Sequence, residues 1–143
     1  DVLVEKGRYG QKTGAGIYRY EGRNAVPDAE VTALTKAEAA ALNVPQIEVS
    51  DEEIIERLLF AMINEGALIL EEGIAYRSSD IDIVFCHGYG MPRYRGGPMQ
   101  YGDSVGLDKV VAAMAKYAKR YGDLYWKPAP LLAKLAASGQ TFS

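Results

Sequence analysis

Residues 50–73, "SDEEIIERLLFAMINEGALILEEG", set the class of fold. Ser50 and Glu53 stand in capping-box spacing, and Asp51, Glu52 and Glu53 place negative charge at the positive end of a helix dipole. On a helical wheel Ile55, Leu58, Leu59, Met62, Ile63, Ile69 and Leu70 share one broad face, which Ile54, Phe60 and Leu68 widen. The spacing predicts one long helix at the centre of its domain. Gly66 lies near the middle of the apolar face, where a glycine costs about 1 kcal/mol relative to alanine. Its presence predicts the close approach of another helix, and Gly73 predicts the end of the segment.

The same period continues downstream. "SSDIDIVFCHG" (78–88) reads as a short helix capped by Ser78 or Ser79, burying Ile81, Val84 and Phe85 and stopping at Gly88. Pro98 suits the first position of a helix over "PMQYGDSVG" (98–106). From Leu107 an inward face is formed by Leu107, Val110, Val111, Met114, Tyr117, Ala118 and Tyr121, with Lys109, Lys116 and Arg120 turned away and Gly122 as the stop. "PAPLLAKLAASG" (128–139) gives a last helix with Leu131, Leu132 and Leu135 inward. Upstream, "VPDAEVTALTKAEAAALNVP" (26–45) reads as one or two short helices from Pro27, with Thr35 and Glu38 as a second cap. Residues 1–27 are glycine-rich without a helical period, although "GIYRY" alternates like a short extended piece. No strand pair is expected after residue 20. The fold class is all-α, a helical bundle behind an irregular N-terminal segment.

The 143 residues suit one compact domain with an appendage. Lys and Arg total 16 against 19 Asp and Glu, a net charge of −3 that argues against a nucleic-acid partner. No apolar run approaches the ~20 residues needed to span a bilayer. The start lacks the apolar stretch and basic region of a signal peptide, and the lone Cys86 forms no intrachain disulfide. The chain therefore reads as soluble and intracellular, and as a fragment.

Each candidate chemistry has a plainer competitor. "GRYGQKTGAGIYRY" (7–20) holds four glycines, as a phosphate cradle would. Yet Gln11 separates Gly10 from Lys12, no helix follows Thr13, and neither the P-loop nor the G-x-G-x-x-G pattern is present. A glycine-turned segment packing its tyrosines is the favoured reading. His87, the only histidine, can serve as a general base with Asp80 or Asp82, or simply end a helix. It makes a poor metal pair with Cys86, and no CxxC or HxxxH exists. The acids Asp51, Glu52, Glu53 and Glu56 resemble paired carboxylates, but dipole complementation accounts for the first three. The best site candidate is "GYGMPRYRGGP" (88–98), where Arg93 and Arg95 can meet phosphates or carboxylates. Its competitor is a rigid connector between two helices. No catalytic, cofactor-binding or metal-binding residue emerges, so the chain reads as part of a larger enzyme.

Taken in order, "GRYGQKTGAGIYRY", "RLLFAMINEGALILEEGIAYRSSDIDIVFCHGYGMPRYRGGPM", "VGLDKV" and "KPAPLLAKLAASGQTF" resemble the C-terminal region of multifunctional fatty-acid oxidation enzymes. These join an enoyl-CoA hydratase/isomerase, an NAD-binding 3-hydroxyacyl-CoA dehydrogenase domain and two helical dehydrogenase C-terminal domains of the 6-phosphogluconate dehydrogenase C-terminal-like type. The resemblance implies that residues 1–22 close the first helical copy, 23–49 form a helical linker and 50–143 are the second copy. It also implies that NAD and the catalytic histidine–glutamate pair belong to a domain absent from this chain. The family's first copy offers substrate an asparagine in an N-R-L-L stretch. Here the matching stretch is Glu56-Arg57-Leu58-Leu59, and a carboxylate cannot donate the amide's hydrogen bond. The resemblance thus implies a bracing, domain-pairing role, with the NAD-binding and first helical domains as partners and an acyl-CoA as the parent's substrate. Two other roles stay open: binding of CoA phosphates by Arg93 and Arg95, and an oligomerisation module for a complex containing a thiolase subunit. The expected setting is bacterial-type cytoplasm.

Overall fold

The computed structural model describes residues 2–143 and is mostly helical. The chain forms two compact units, one ending at Glu48 and one beginning at Val49.

In the first unit, helix α1 (Val2–Glu5) leads into the glycine loop, followed by strands β1 (Arg19–Glu21) and β2 (Asn24–Val26) and helix α2 (Ala29–Ala41). The hairpin is antiparallel, with Glu21 opposite Asn24, so its loop is Gly22-Arg23. Gly22 has φ +65°, a positive value that glycine takes without steric cost at the first central position of such a turn. Neither α1 nor the hairpin follows from the sequence, and the hairpin crosses the 22/23 boundary expected there. Their elements of three or four residues are too short to show a period. Only one helix forms from the alanine-rich stretch. Asp28 is its N-cap, accepting from the Glu30 amide, whereas Thr35 sits inside the helix and donates back to the Val31 carbonyl at 2.8 Å.

The second unit contains α3 (Asp51–Glu71), α4 (Ser78–Gly88), α5 (Pro98–Val105), α6 (Leu107–Tyr121) and α7 (Pro130–Ser138). Ser50 caps α3 as expected, accepting from the Glu53 amide at 3.2 Å. Gly73, at φ +72°, ends it with the Ile74 amide bonded back to the Ile69 carbonyl. The core is built from Phe60, Ile63 and Ala67 of α3, Leu107, Val110, Met114 and Tyr117 of α6, Leu132 of α7, and Trp126 and Ala129 between them. The Trp126 and Tyr117 rings pack at a tilt of 53° with centroids 5.1 Å apart. Gly66 and Gly102 allow α5 to lie close on α3: a Cβ at Gly66 would strike the Met99 side chain, and one at Gly102 would meet Ile63 at 3.1 Å.

The inward face of α3 is rotated from the expected one. Phe60, Ile63, Asn64, Gly66 and Ala67 are buried, while Ile54, Ile55 and Leu58 are 46%, 51% and 64% exposed. The expected Ser78 or Ser79 cap on α4 is also absent. Arg77 holds the N-cap position without a side-chain bond, and the Ser78 hydroxyl donates to the Phe142 carbonyl. Of the three apolar residues expected inward on α4, Ile81 is buried and Val84 is exposed.

Three polar side chains fasten the helices over long sequence distances. Asn64 of α3 donates to the Lys127 carbonyl at 3.1 Å and accepts from the Ala129 amide at 2.7 Å. Asp82 of α4 accepts from the Met99 and Gln100 amides at 2.8 and 3.1 Å, closing the N-terminus of α5 from outside. Asp103 of α5 accepts from the amides of Phe142 and Ser143.

Candidate functional site

The glycine loop folds upon itself. The Gly10 amide donates to Ala15, Gly14 to Gln11 and Gly16 to Tyr18. Thr13 Oγ1 accepts from the Tyr9 amide. Arg8 reaches across to donate to the Gly16 carbonyl at 3.0 Å and pairs with Asp28 and Glu30. Arg8 is the main reason the Asp28 carboxyl is held below its ordinary value, with the Glu30 amide second. A dinucleotide pyrophosphate needs backbone N–H groups pointing outward at a helix N-terminus. The loop amides named here are spent on its own carbonyls and on Thr13, so these residues do not fit NAD.

The acids at the start of α3 are joined to α6. Glu53 accepts from the Tyr121 hydroxyl at 2.5 Å and from Arg120 at 2.9 Å, and Glu56 accepts from the Tyr117 hydroxyl. Tyr121 is the first cause holding the Glu53 carboxyl below its ordinary value. Burial, then the bond to Glu56, pushes the Tyr117 hydroxyl well above the usual tyrosine range. The Arg57 guanidinium lies 4.0 Å from the Tyr121 ring centroid. Glu56 is thus bound to a tyrosine of its own unit. The dipole account of Glu53 is incomplete, because its carboxylate also joins two helices.

Neither acid proposed for His87 reaches it. Asp80 pairs with Arg77 at 3.0 Å, and Asp82 caps α5. Among the described residues no cluster of three His, Cys, Asp or Glu could hold a metal ion. No described helix is long and apolar enough to cross a membrane.

Arg93 and Arg95 occupy a 3₁₀ turn, Arg93–Arg95, held by the Gly96 amide donating to the Arg93 carbonyl. The turn points them apart. Arg95 lies over the rings of Tyr94 and Tyr101, at 5.2 and 5.9 Å. Arg93 instead borders a depression of about 380 Å³ shared with Ser79, His87 and Gln100. Tyr117 is buried as its helical period predicts, but the hydrogen bonds by which Asn64, Asp82, Asp103 and the Tyr117 hydroxyl fasten the unit do not follow from sequence. The one legible signal was Asn64, a polar residue within the apolar run "FAMINEGALIL".

A second surface is apolar. The exposed Ile55 and Leu58 lie on the side of α3 that also carries Met62 and Ile69. Ile69 enters a groove of about 580 Å³ with Ile74, Val84, Phe85 and Tyr89. Monomeric proteins rarely leave so many large aliphatic side chains together in water.

The second unit is a helical bundle that leaves an apolar face of α3 exposed. The chain belongs to the family described as 3-hydroxyacyl-CoA dehydrogenase, C-terminal domain, whose model matches residues 54–141. It is 42% identical over 143 residues to the peroxisomal bifunctional enzyme of Danio rerio, covering 97% of this chain and 20% of that protein. The human peroxisomal bifunctional enzyme matches with the same identity and coverage, 42%, 97% and 20%. The fatty acid oxidation complex subunit alpha of Vibrio parahaemolyticus is 36% identical over 142 residues, covering 99% of this chain and 19% of that protein. The chain therefore spans about a fifth of the length of these relatives. The expected bacterial-type cytoplasmic setting is overturned, because the zebrafish and human relatives are peroxisomal by name and point to an organelle. No residue of this chain speaks to compartment.

Proposed function

We propose that this chain is the bracing, domain-pairing part of an NAD-dependent 3-hydroxyacyl-CoA dehydrogenase within a multifunctional fatty-acid β-oxidation enzyme. Residues 1–22 close a first helical copy, 23–49 link the two copies, and 50–143 form the second. The parent's NAD-binding domain supplies the hydride acceptor and the proton-handling residues, and this chain supplies none. The carrying observation is the exposed aliphatic face of α3, opposite a fully used core face. Its partner in this proposal is the first helical copy, whose own apolar surface would cover it. A thiolase subunit is a further partner, supported by the Vibrio relative's being by name the subunit of a complex.

Two measurements test this. The isolated chain turns over no 3-hydroxyacyl-CoA with NAD, and robust turnover overturns the reading. Mixed with the remainder of its parent enzyme, the chain co-elutes on size exclusion. Leu58→Asp abolishes that co-elution while leaving the helical circular dichroism of the chain intact. Co-elution undisturbed by both Leu58→Asp and Ile55→Asp removes α3 as the pairing face.

A further inference from the structure

We infer that Arg93 and His87, with Ser79 and Gln100, form a binding site for a phosphate group on the α4–α5 surface of the second unit. The four residues come from α4, the 3₁₀ turn and α5, are solvent-exposed, and all line the 380 Å³ depression. None of them spends its side-chain hydrogen bonds inside the described chain, although neighbouring polar groups are engaged. Arg77 pairs with Asp80, and the Cys86 thiol donates to the Gly96 carbonyl at 3.5 Å. Arg93 has no carboxylate within salt-bridge distance among the described residues, unlike Arg8, Arg77 and Arg120.

The supporting backbone is firm. The Met91 amide donates to the Phe85 carbonyl, the Arg95 amide to Pro92 and the Gly96 amide to Arg93, which ties the turn to α4. Asp82 is the one acid bordering the depression, and both its oxygens are committed to the Met99 and Gln100 amides. Burial pushes the Asp82 carboxyl above its ordinary value, partly offset by those two amides, and both oxygens face the start of α5 instead of the depression's other donors. A guanidinium fork, an imidazole N–H, a hydroxyl and an amide N–H offer donors from several directions. That set suits a tetrahedral oxyanion better than a planar carboxylate, and Arg is the side chain best matched to phosphate. Arg95 is left out because it lies with Tyr94 and Tyr101.

The phosphate has two possible sources, free inorganic phosphate or a phosphomonoester carried by a nucleotide. The test is a titration of the whole 143-residue chain, followed by amide chemical shifts, with inorganic phosphate in one arm and adenosine 3′,5′-bisphosphate in the other. Saturable shifts at His87, Arg93, Gly96 and Gln100 are expected in at least one arm. Arg93→Ala should weaken binding about tenfold or more, as loss of a charge-assisted bond requires. His87→Ala should weaken it about threefold, and Lys109→Ala on the distant α6 surface should change it less than about twofold. Tighter binding of the bisphosphate assigns the nucleotide-borne source, and equal binding assigns free phosphate. Absence of saturable shifts in both arms, or binding indifferent to Arg93→Ala, overturns the site. Neither outcome touches the α3 face, so this inference and the pairing proposal fail separately.

Discussion

The side chain of Asn64 and the backbone amide of Ala129, 65 positions apart in sequence, meet at 2.7 Å inside the second unit. With the Lys127 carbonyl on its other end, Asn64 holds the turn that carries Trp126 into the core and aims α7. Asn64→Leu keeps the volume and removes both bonds, leaving the buried Ala129 N–H and the part-buried Lys127 C=O without Asn64. The expected loss is about 1–3 kcal/mol for the stranded Ala129 amide, with the partly solvated Lys127 carbonyl adding less, measured as a lowered urea midpoint with Trp126 fluorescence as the probe.

Gly66 sits where the side chain of Met99 occupies the space a Cβ would need. Helix propensity alone would make Gly66→Ala stabilising by about 1 kcal/mol. Overpacking against a fully buried methionine costs about 1–3 kcal/mol and wins. Thermal melts should therefore place Gly66→Ala below the parent chain and Gly66→Leu lower still.

Tyr117→Phe keeps the ring against Trp126 and removes the bond to Glu56. A cost of about 1–3 kcal/mol is expected, because the acceptor is a carboxylate. Equilibrium unfolding measures it. A Glu56→Gln, Tyr117→Phe double-mutant cycle should show coupling between the two positions, since they share one contact.

The Glu53 carboxyl is held down first by the Tyr121 hydroxyl, with Arg120, Lys116 and Arg57 adding and burial opposing. Its folded value lies below its ordinary 4.5, so its contribution to stability is present above 4.5 and is lost as pH falls through the folded value. Stability measured from pH 6 downward should fall less steeply in Glu53→Gln than in the parent chain. An unchanged slope would show that Glu53 is not linked to acid unfolding.

Much of the second unit is legible before any coordinates are seen. The apolar period, Ser50, Pro98, Gly73 and Gly139 place α3, α5, α6 and α7 with their ends. What stays hidden is which side of α3 faces inward. Apolar residues surround most of that helix, so the period leaves its rotation undecided. The choice is made by Glu53, Glu56 and Asn64, whose partners lie 61 to 68 residues away. Candidate-site reading fails for a related reason. Arg93 and Arg95 are two positions apart in a tight turn, and only the turn's geometry reveals that they part company. In the glycine loop the P-loop spacing is broken at Gln11, and the loop amides of Gly10, Gly14 and Gly16 bond to carbonyls within the loop.

One contact also bears on how this surface can change over evolutionary time. At Gly97, φ is +108°, and a Cβ there would stand 2.6 Å from the Cα and Cβ of Asp82. The Cα of residue 82 stands there whatever its side chain, and a positive φ is strained for any residue with a Cβ, so position 97 demands glycine independently of what occupies 82. A lineage that lost this glycine would have to move α4 away from the start of α5.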